Sequence, residues 1–155
     1  MSLTLTSPVT GTAQTGLTSP TYTLSDDVAP GNNGRQYSVS ALGGTQTNVD
    51  ASSVSKPFTV TLVRPATFKQ LGVVDPVTGV LRNVPKNTWD IITRKGVVPL
   101  SGQASQTMLI RTSISVPAGA DVVEPEDIRA ALSAHFGALS QASSAIGDAI
   151  INGTL

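Results

Sequence analysis

As far as Val116 the apolar residues of this chain recur at every second position; from Pro125 onward they recur at every third or fourth. The first period belongs to strands with one buried face and the second to an amphipathic helix. A chain that changes period once, late, gathers its strands together and ends in helices. Arg35 to Leu42 sets Tyr37, Val39 and Ala41 against Gln36, Ser38 and Ser40. Phe58 to Arg64 sets Phe58, Val60 and Leu62 against Thr59, Thr61 and Val63. Thr107 to Val116 sets Met108, Ile110, Ile114 and Val116 against Leu109, Arg111, Ser113 and Ser115. Thr21–Ser25 and Thr88–Val98 are the other predicted strands. P-G-N-N-G at 30–34 and D-P-V-T-G at 75–79 are turns, and Gly43–Ser55 starts as a loop, with strand character open near Val49 or Val54.

The helical part opens with Pro125 and acids in its first turn, which suit the positive end of a helix. Ile128, Leu132, Phe136 and Leu139 then follow on one face. A shorter helix over Ala145–Ile151 ends at Asn152-Gly153. The order gives an α+β fold with an antiparallel sheet and two C-terminal helices on one of its faces. Residues 1–20, rich in Thr, Ser, Gly and Pro, read as an extended arm or as short edge strands with turns. L-T-S-P occurs at 5–8 and again at 17–20, an echo too slight for a repeat fold.

One helix of about four turns and one of about two are too small to cover a sheet of five or six strands. Either one face is left to water, or a partner completes the cover. The core points the same way. The 155 residues fit one domain, but aromatics are 4% of them, so the core is thin and suited to sharing with a second subunit.

The formal charge is zero, yet it is unevenly spread. Residues 35–111 carry nine basic residues against three Asp, a net of +6, whereas 1–34 carry −2 and 112–155 carry −4. A surface that faces a polyanion is therefore expected in the central region. Absence of cysteine excludes disulfides and thiolate metal sites. The single histidine, His135, lies on a helix, and the acids at 121, 124, 126 and 127 support a helix start, so no metal or cofactor is expected. No nucleophile elbow, P-loop or dinucleotide fingerprint occurs, and an enzyme is not expected. N-G-T at 152–154 matches a glycosylation acceptor, a match too short to weigh without a leader. The start lacks a basic segment followed by an apolar one, and no apolar run nears the ~20 residues of a membrane span. The expectation is assembly in the cytosol without a membrane partner.

Several stretches together resemble the coat proteins of single-stranded RNA bacteriophages, the leviviruses and their relatives. They are P-K-N-T-W-D-I-I-T-R-K-G-V at 85–97, S-G-Q-A-S-Q at 101–106, I-S-V-P-A-G-A-D at 114–121, I-R-A-A-L-S-A-H-F-G-A-L at 128–139 and the terminal G-D-A-I-I-N-G-T-L. P-T-Y-T-L-S, A-L-G-G-T-Q-T and P-F-T-V-T-L-V-R-P fit the same group, so the resemblance covers about residues 20–155. It implies an N-terminal β-hairpin, a five-stranded antiparallel sheet and two C-terminal helices, with two chains interlocked so that each chain's helices lie over the partner's sheet. It implies a homodimer that builds a quasi-equivalent icosahedral capsid around single-stranded RNA. It also implies binding of a genomic hairpin that represses replicase translation. The loop at 99–106 corresponds to the family's loop at the symmetry axes. On this reading 1–155 is one coat-protein domain, with an arm at 1–20, hairpin and sheet at 21–118 and helices at 124–152, and it resides in the virion.

Strand parity then selects the RNA-facing side chains: Thr59, Thr61, Lys86, Arg94, Arg111 and Ser113, with Arg94 and Arg111 foremost. Lys95, on the opposite parity from Arg94, is expected past the apolar patch, reaching solvent or a neighbouring subunit. Two other classes fit part of the sequence. A phage-tail or pilus-like structural β-protein suits the Thr/Ser/Gly-rich start and implies no RNA. A translation-regulating RNA-binding module implies no shell.

Overall fold

The alternating segments become six strands of one antiparallel sheet, in the order of the chain: β1 (Val9–Thr10), β2 (Leu17–Asp27), β3 (Gly34–Gln46), β4 (Phe58–Val63), β5 (Lys86–Val97) and β6 (Gln106–Pro117). The computed structural model describes residues 3–154. Met1, Ser2 and Leu155 lie outside the described residues, and with them the first two positions of the expected arm and the last of the terminal motif. Three helices follow: α1 (Ala120–Val123), α2 (Pro125–Gln141) and α3 (Ser143–Asn152).

Three details differ from the five strands and two helices that the resemblance implies and from the loop expected after Leu42. The sheet has a sixth strand, the two-residue β1 along β2, with Val9 opposite Tyr22. A one-turn helix, α1, precedes the two expected helices. P-A-G-A-D-V-V carries no apolar period long enough to announce it. The turn is set instead by Gly119 in the left-handed region at φ 89°, with the Leu71 side chain packed where a Cβ would stand. β3 also runs past Leu42 to Gln46, where a loop was expected, and no strand forms at Val49 or Val54, which lie in the loop after it. Gly43 and Gly44 allow the extension, because Thr21 and the carbonyls of Thr18 and Ser19 press against positions with no side chain. Two register shifts, at Thr18/Thr21 and Thr23/Leu24, bend this end of the β2–β3 pair.

The register fixes the two faces. Tyr37, Val60, Thr93 and Ile110 stand in one row across β3 to β6, and Ser38, Thr59, Arg94 and Leu109 stand in the next, on the opposite face. The buried hydrophobic side chains are few: Tyr37, Val39, Leu62, Ile92 and Ala118. The arm covers part of the apolar face. Leu3 lines a hollow with Leu62 and Trp89, and the Leu5 N–H donates to the Tyr37 hydroxyl. The β1–β2 loop brings Thr12 and Gln14 beside Met108 and Ile110. That loop also holds α3. Gln14 Nε2 donates to the Ser143 carbonyl at 2.9 Å and Thr15 Oγ1 donates to Asp148 Oδ2 at 2.9 Å. Neither α2 nor α3 buries a residue within the chain.

Gly96 explains why the R-K-G-V run carries a glycine one position before β5 ends. Its N–H donates to the Pro57 carbonyl at 2.7 Å, and a Cβ there would stand 2.6 Å from the Lys56 Cα. Gly96→Ala is expected to cost about 1–3 kcal/mol through overpacking. Gly72→Ala, in open space, should stay within about 0.5 kcal/mol of the parent. Urea denaturation of subunits released from assemblies measures both, and equal midpoints for the two variants would show that the 56–57 segment does not lean on β5.

Candidate nucleic-acid interface

All six residues selected from the sequence fall on the same face of the sheet. Arg94 is opposite Thr59, Asp90 is opposite Ser113, and Lys86 closes the row ends opposite Pro117. Thr61, Ile92 and Arg111 form one row across β4, β5 and β6, which makes Arg94 and Arg111 diagonal neighbours on adjacent strands.

Their depths differ, and so do their tasks. Lys86, Arg111 and Ser113 are exposed and Arg94 is half-buried. Thr59 is 8% exposed and Thr61 only 1%. Thr61 works from below. Arg94 Nη1 donates to its Oγ1 at 3.2 Å, Thr61 donates onward to Gln36 Oε1 at 2.9 Å, and Gln36 Nε2 donates to Asp27 Oδ2 at 2.8 Å. A guanidinium on β5 is thereby tied to a carboxylate on β2 through one hydroxyl and one amide. Each link polarises the next. The Gln36 amide, followed by the Val28 N–H, holds the Asp27 carboxyl below its ordinary range.

Arg111 is held differently. Its Nη2 and Nε grip Asp90 at 2.6 and 3.2 Å, and Ser113 Oγ donates to the same carboxylate at 2.5 Å. Both arms of the guanidinium fork are thus committed to one carboxylate. Arg111, and then Ser113, hold the Asp90 carboxyl below its usual value. Of the two leading cations, Arg94 retains more free charge.

Beside Arg94 the face sinks into an open hollow of about 840 Å³, lined by Gln36, Ser38, Thr59 and the Ser52–Val54 loop. Gln36 and Ser38 join Thr59 and Arg94 here, and their parity on β3 is the signal that finds them. Ser52–Val54 reach the hollow from a loop, where no period signals orientation.

Only three of the nine central cations stand on this face. Arg35 is opposite Leu62 and Lys95 opposite Phe58, both on the apolar side. Lys95 corrects the expectation of a side chain reaching solvent or a neighbour. Its Nζ lies 4.7 Å from the Phe58 ring centroid and donates to the Asp50 carbonyl at 2.7 Å. The ring and the carbonyl draw the cation inward, and partial burial pulls its pKa below the usual lysine value. Lys56 and Arg82 are paired with Asp50 and Asp75.

A single sheet with a cationic polar face, an apolar face and terminal helices that bury nothing of their own defines a subunit made for assembly. Comparison with solved structures gives the family. The virus-like particle of bacteriophage ESE020 is 51% identical over 99% of this chain and 100% of that chain, with a TM-score of 0.96. The chain belongs to the levivirus-like bacteriophage coat proteins, and its role is structural, in a capsid built from copies of itself. The virus-like particle of Wenzhou levi-like virus 4 aligns at 17% identity over 79% of this chain and 72% of that chain, with a TM-score of 0.42, too distant to bear on the fold. No protein-family model matches the chain, and no curated protein matches it.

The Asp90 site has a definite pH behaviour. A carboxylate lowered in the folded state stabilises the fold fully above its unfolded pKa of about 3.9, and that contribution disappears as pH falls through the lower folded value. Arg111→Ala should move the Asp90 midpoint upward, toward the unperturbed value, in a carboxyl-carbon NMR titration. An unmoved midpoint would mean that Ser113 and solvent, and not Arg111, set it.

Proposed function

We propose that two copies of this chain join along β6, that each copy's α2 and α3 lie over the partner's sheet, and that the combined polar face receives single-stranded RNA inside the shell. The observation that carries this reading is the uncovered apolar stripe of the helices. Phe136 and Leu139 on α2 are 42% and 41% exposed, and Ile150 and Ile151 on α3 are 73% and 83% exposed. Apolar surface of that extent seeks cover. β6 supports the same reading. It is a 12-residue strand at the sheet's edge, with Met108, Leu109 and Ile110 exposed, and an unpaired edge of that length is a template for another strand. Pairing of β6 with β6 would merge two sheets and continue the polar rows across the seam.

On that face Lys86, Arg94 and Arg111 would meet phosphates, and Ser113 adds a hydroxyl. Thr59 and Thr61 lie beneath them, and Thr61 aims Arg94. The strand aromatics Tyr22, Tyr37, Phe58 and Trp89 belong to the other face, so phosphate contacts and not base stacking would carry most of the affinity. The same face would bind a genomic hairpin and so repress replicase translation. In this reading residues 1–155 act as one coat-protein domain, with arm (1–20), hairpin and sheet (21–118) and helices (124–152), assembled in the host cytoplasm.

Expression of the chain alone tests the reading. Closed shells of uniform size that contain host RNA are expected; RNA-free fibres, or small soluble species, would sink it. Phe136→Asp should leave monomers in sedimentation experiments while the sheet stays folded by circular dichroism. The Arg94→Ala/Arg111→Ala double variant should hold less RNA, and every phosphate it no longer neutralises should flatten the slope of log K against log salt by about 0.7. Arg94→Ala alone should cost more than Arg111→Ala alone, because Asp90 already occupies Arg111. Asp90→Asn should raise RNA retention.

A further inference from the structure

The connection from β4 to β5 is 22 residues long, Arg64 to Pro85, and no strand or helix lies in it. Connections of that length in small domains usually serve a function. Its base is fastened. The Arg64 N–H donates to the Asn33 carbonyl, Lys69 and Asn87 exchange a reciprocal pair of hydrogen bonds, Phe68 packs against Trp89, and Leu71 packs on Gly119. The tip is built as well. Asp75 Oδ1 accepts from the Val77 and Thr78 N–H groups, and the Asp75 carbonyl accepts from Gly79, which sits at φ 69°. This pinned turn displays Val73, Val77 and Val80 at 96%, 91% and 56% exposure. A turn whose backbone is fixed and whose valines face water suits an interface.

The charges narrow the occupant. Residues 72–84 hold one acid and one base, Asp75 and Arg82, and these pair with each other at 3.4 Å. The tip therefore carries no net charge, which disfavours RNA. Around a rotation axis identical surfaces meet, and like charges there repel; a tip that cancels its own charge has no such penalty. Copies of this chain already assemble into one shell, so such a surface is presented to others of its kind at high local concentration. We propose that the 72–84 tip is a shell-building contact that packs against a second copy of this chain, separate from the β6 edge and from the helices.

The chain has no cysteine, so Val77→Cys supplies a unique thiol. A small maleimide reagent should label it fully in subunits released from shells and leave it largely unlabelled in intact shells. Equal labelling in both states would overturn the proposal, and so would protection that persists in released subunits. The Val73→Asp/Val77→Asp double variant provides the second arm. Its released subunits should match the parent in thermal melting, while its shells should be absent or should dissociate at lower denaturant. Parent-like shells from that variant would also overturn the proposal. Neither readout depends on RNA content or on the β6 edge.

Discussion

The structure depends on the cross-strand register that runs from β3 to β6. Because side chains alternate, one register decides that Tyr37, Val60, Thr93 and Ile110 stand on one face, and that Ser38, Thr59, Arg94 and Leu109 stand on the other. A slip of one residue would move Arg94 among the aromatics and Phe58 among the serines. The hydrogen-bonded chain Arg94–Thr61–Gln36–Asp27 reinforces that register from the polar side, since each of its members sits on a different strand. Tyr22 edge-on to Phe58, with Lys95 over the same Phe58 ring, reinforces it from the apolar side.

The polar face is less cationic than the sequence implies. A central excess of +6 becomes three cations on that face, and two carboxylates, Asp27 and Asp90, share it with them. This arrangement keeps an unliganded face from repelling itself when copies are brought together. On the proposed reading, phosphate would have to compete with Asp90 for Arg111, whereas Arg94 would offer a guanidinium whose bond goes to the neutral Thr61 hydroxyl. Lys86, at the strand end, extends the reach of the face without touching either network. If RNA is received there as proposed, its binding would respond to salt and to the ionisation of these carboxylates.

Parity is legible in the sequence because it needs only the identity of a strand and a count of two. It places Thr59, Thr61, Lys86, Arg94, Arg111 and Ser113 on one face, as the sheet does. Depth is not legible. Nothing in F-T-V-T-L-V distinguishes a solvated Thr61 from one sealed under Gln36 and Arg94, because that outcome depends on the neighbouring strands. Lys95 departs from expectation for a related reason. Its parity holds, but a lysine bends along apolar surface to reach a carbonyl, and Asp50, 45 residues away, has no sequence relation to it. The one-turn α1 and the extension of β3 to Gln46 depend on glycines that make room for Leu71 and Thr21, and a composition of small residues otherwise reads as loop.

The arm gives the helices their direction. A pair of short amphipathic helices at the end of a sheet would ordinarily fold back and cover their own strands. Here residues 3–16 are in the way. Leu3 and Leu5 lie at the Leu62 and Tyr37 end of the apolar face, and the β1–β2 loop lies at the Met108 end. Thr12, Gln14 and Thr15 then bind Ser143, Ser144 and Asp148, and Gln14 occupies the space beside Gly147 where a side chain would clash. With α3 tied to the arm and α2 leading up to it, Phe136, Leu139, Ile150 and Ile151 stay exposed around an open hollow that Met108 and Ile110 share. The polar, low-complexity start of the chain therefore spends its hydroxyls and amides on fixing α3 while its apolar side chains stay uncovered. On the proposed reading, a neighbouring copy would complete that core.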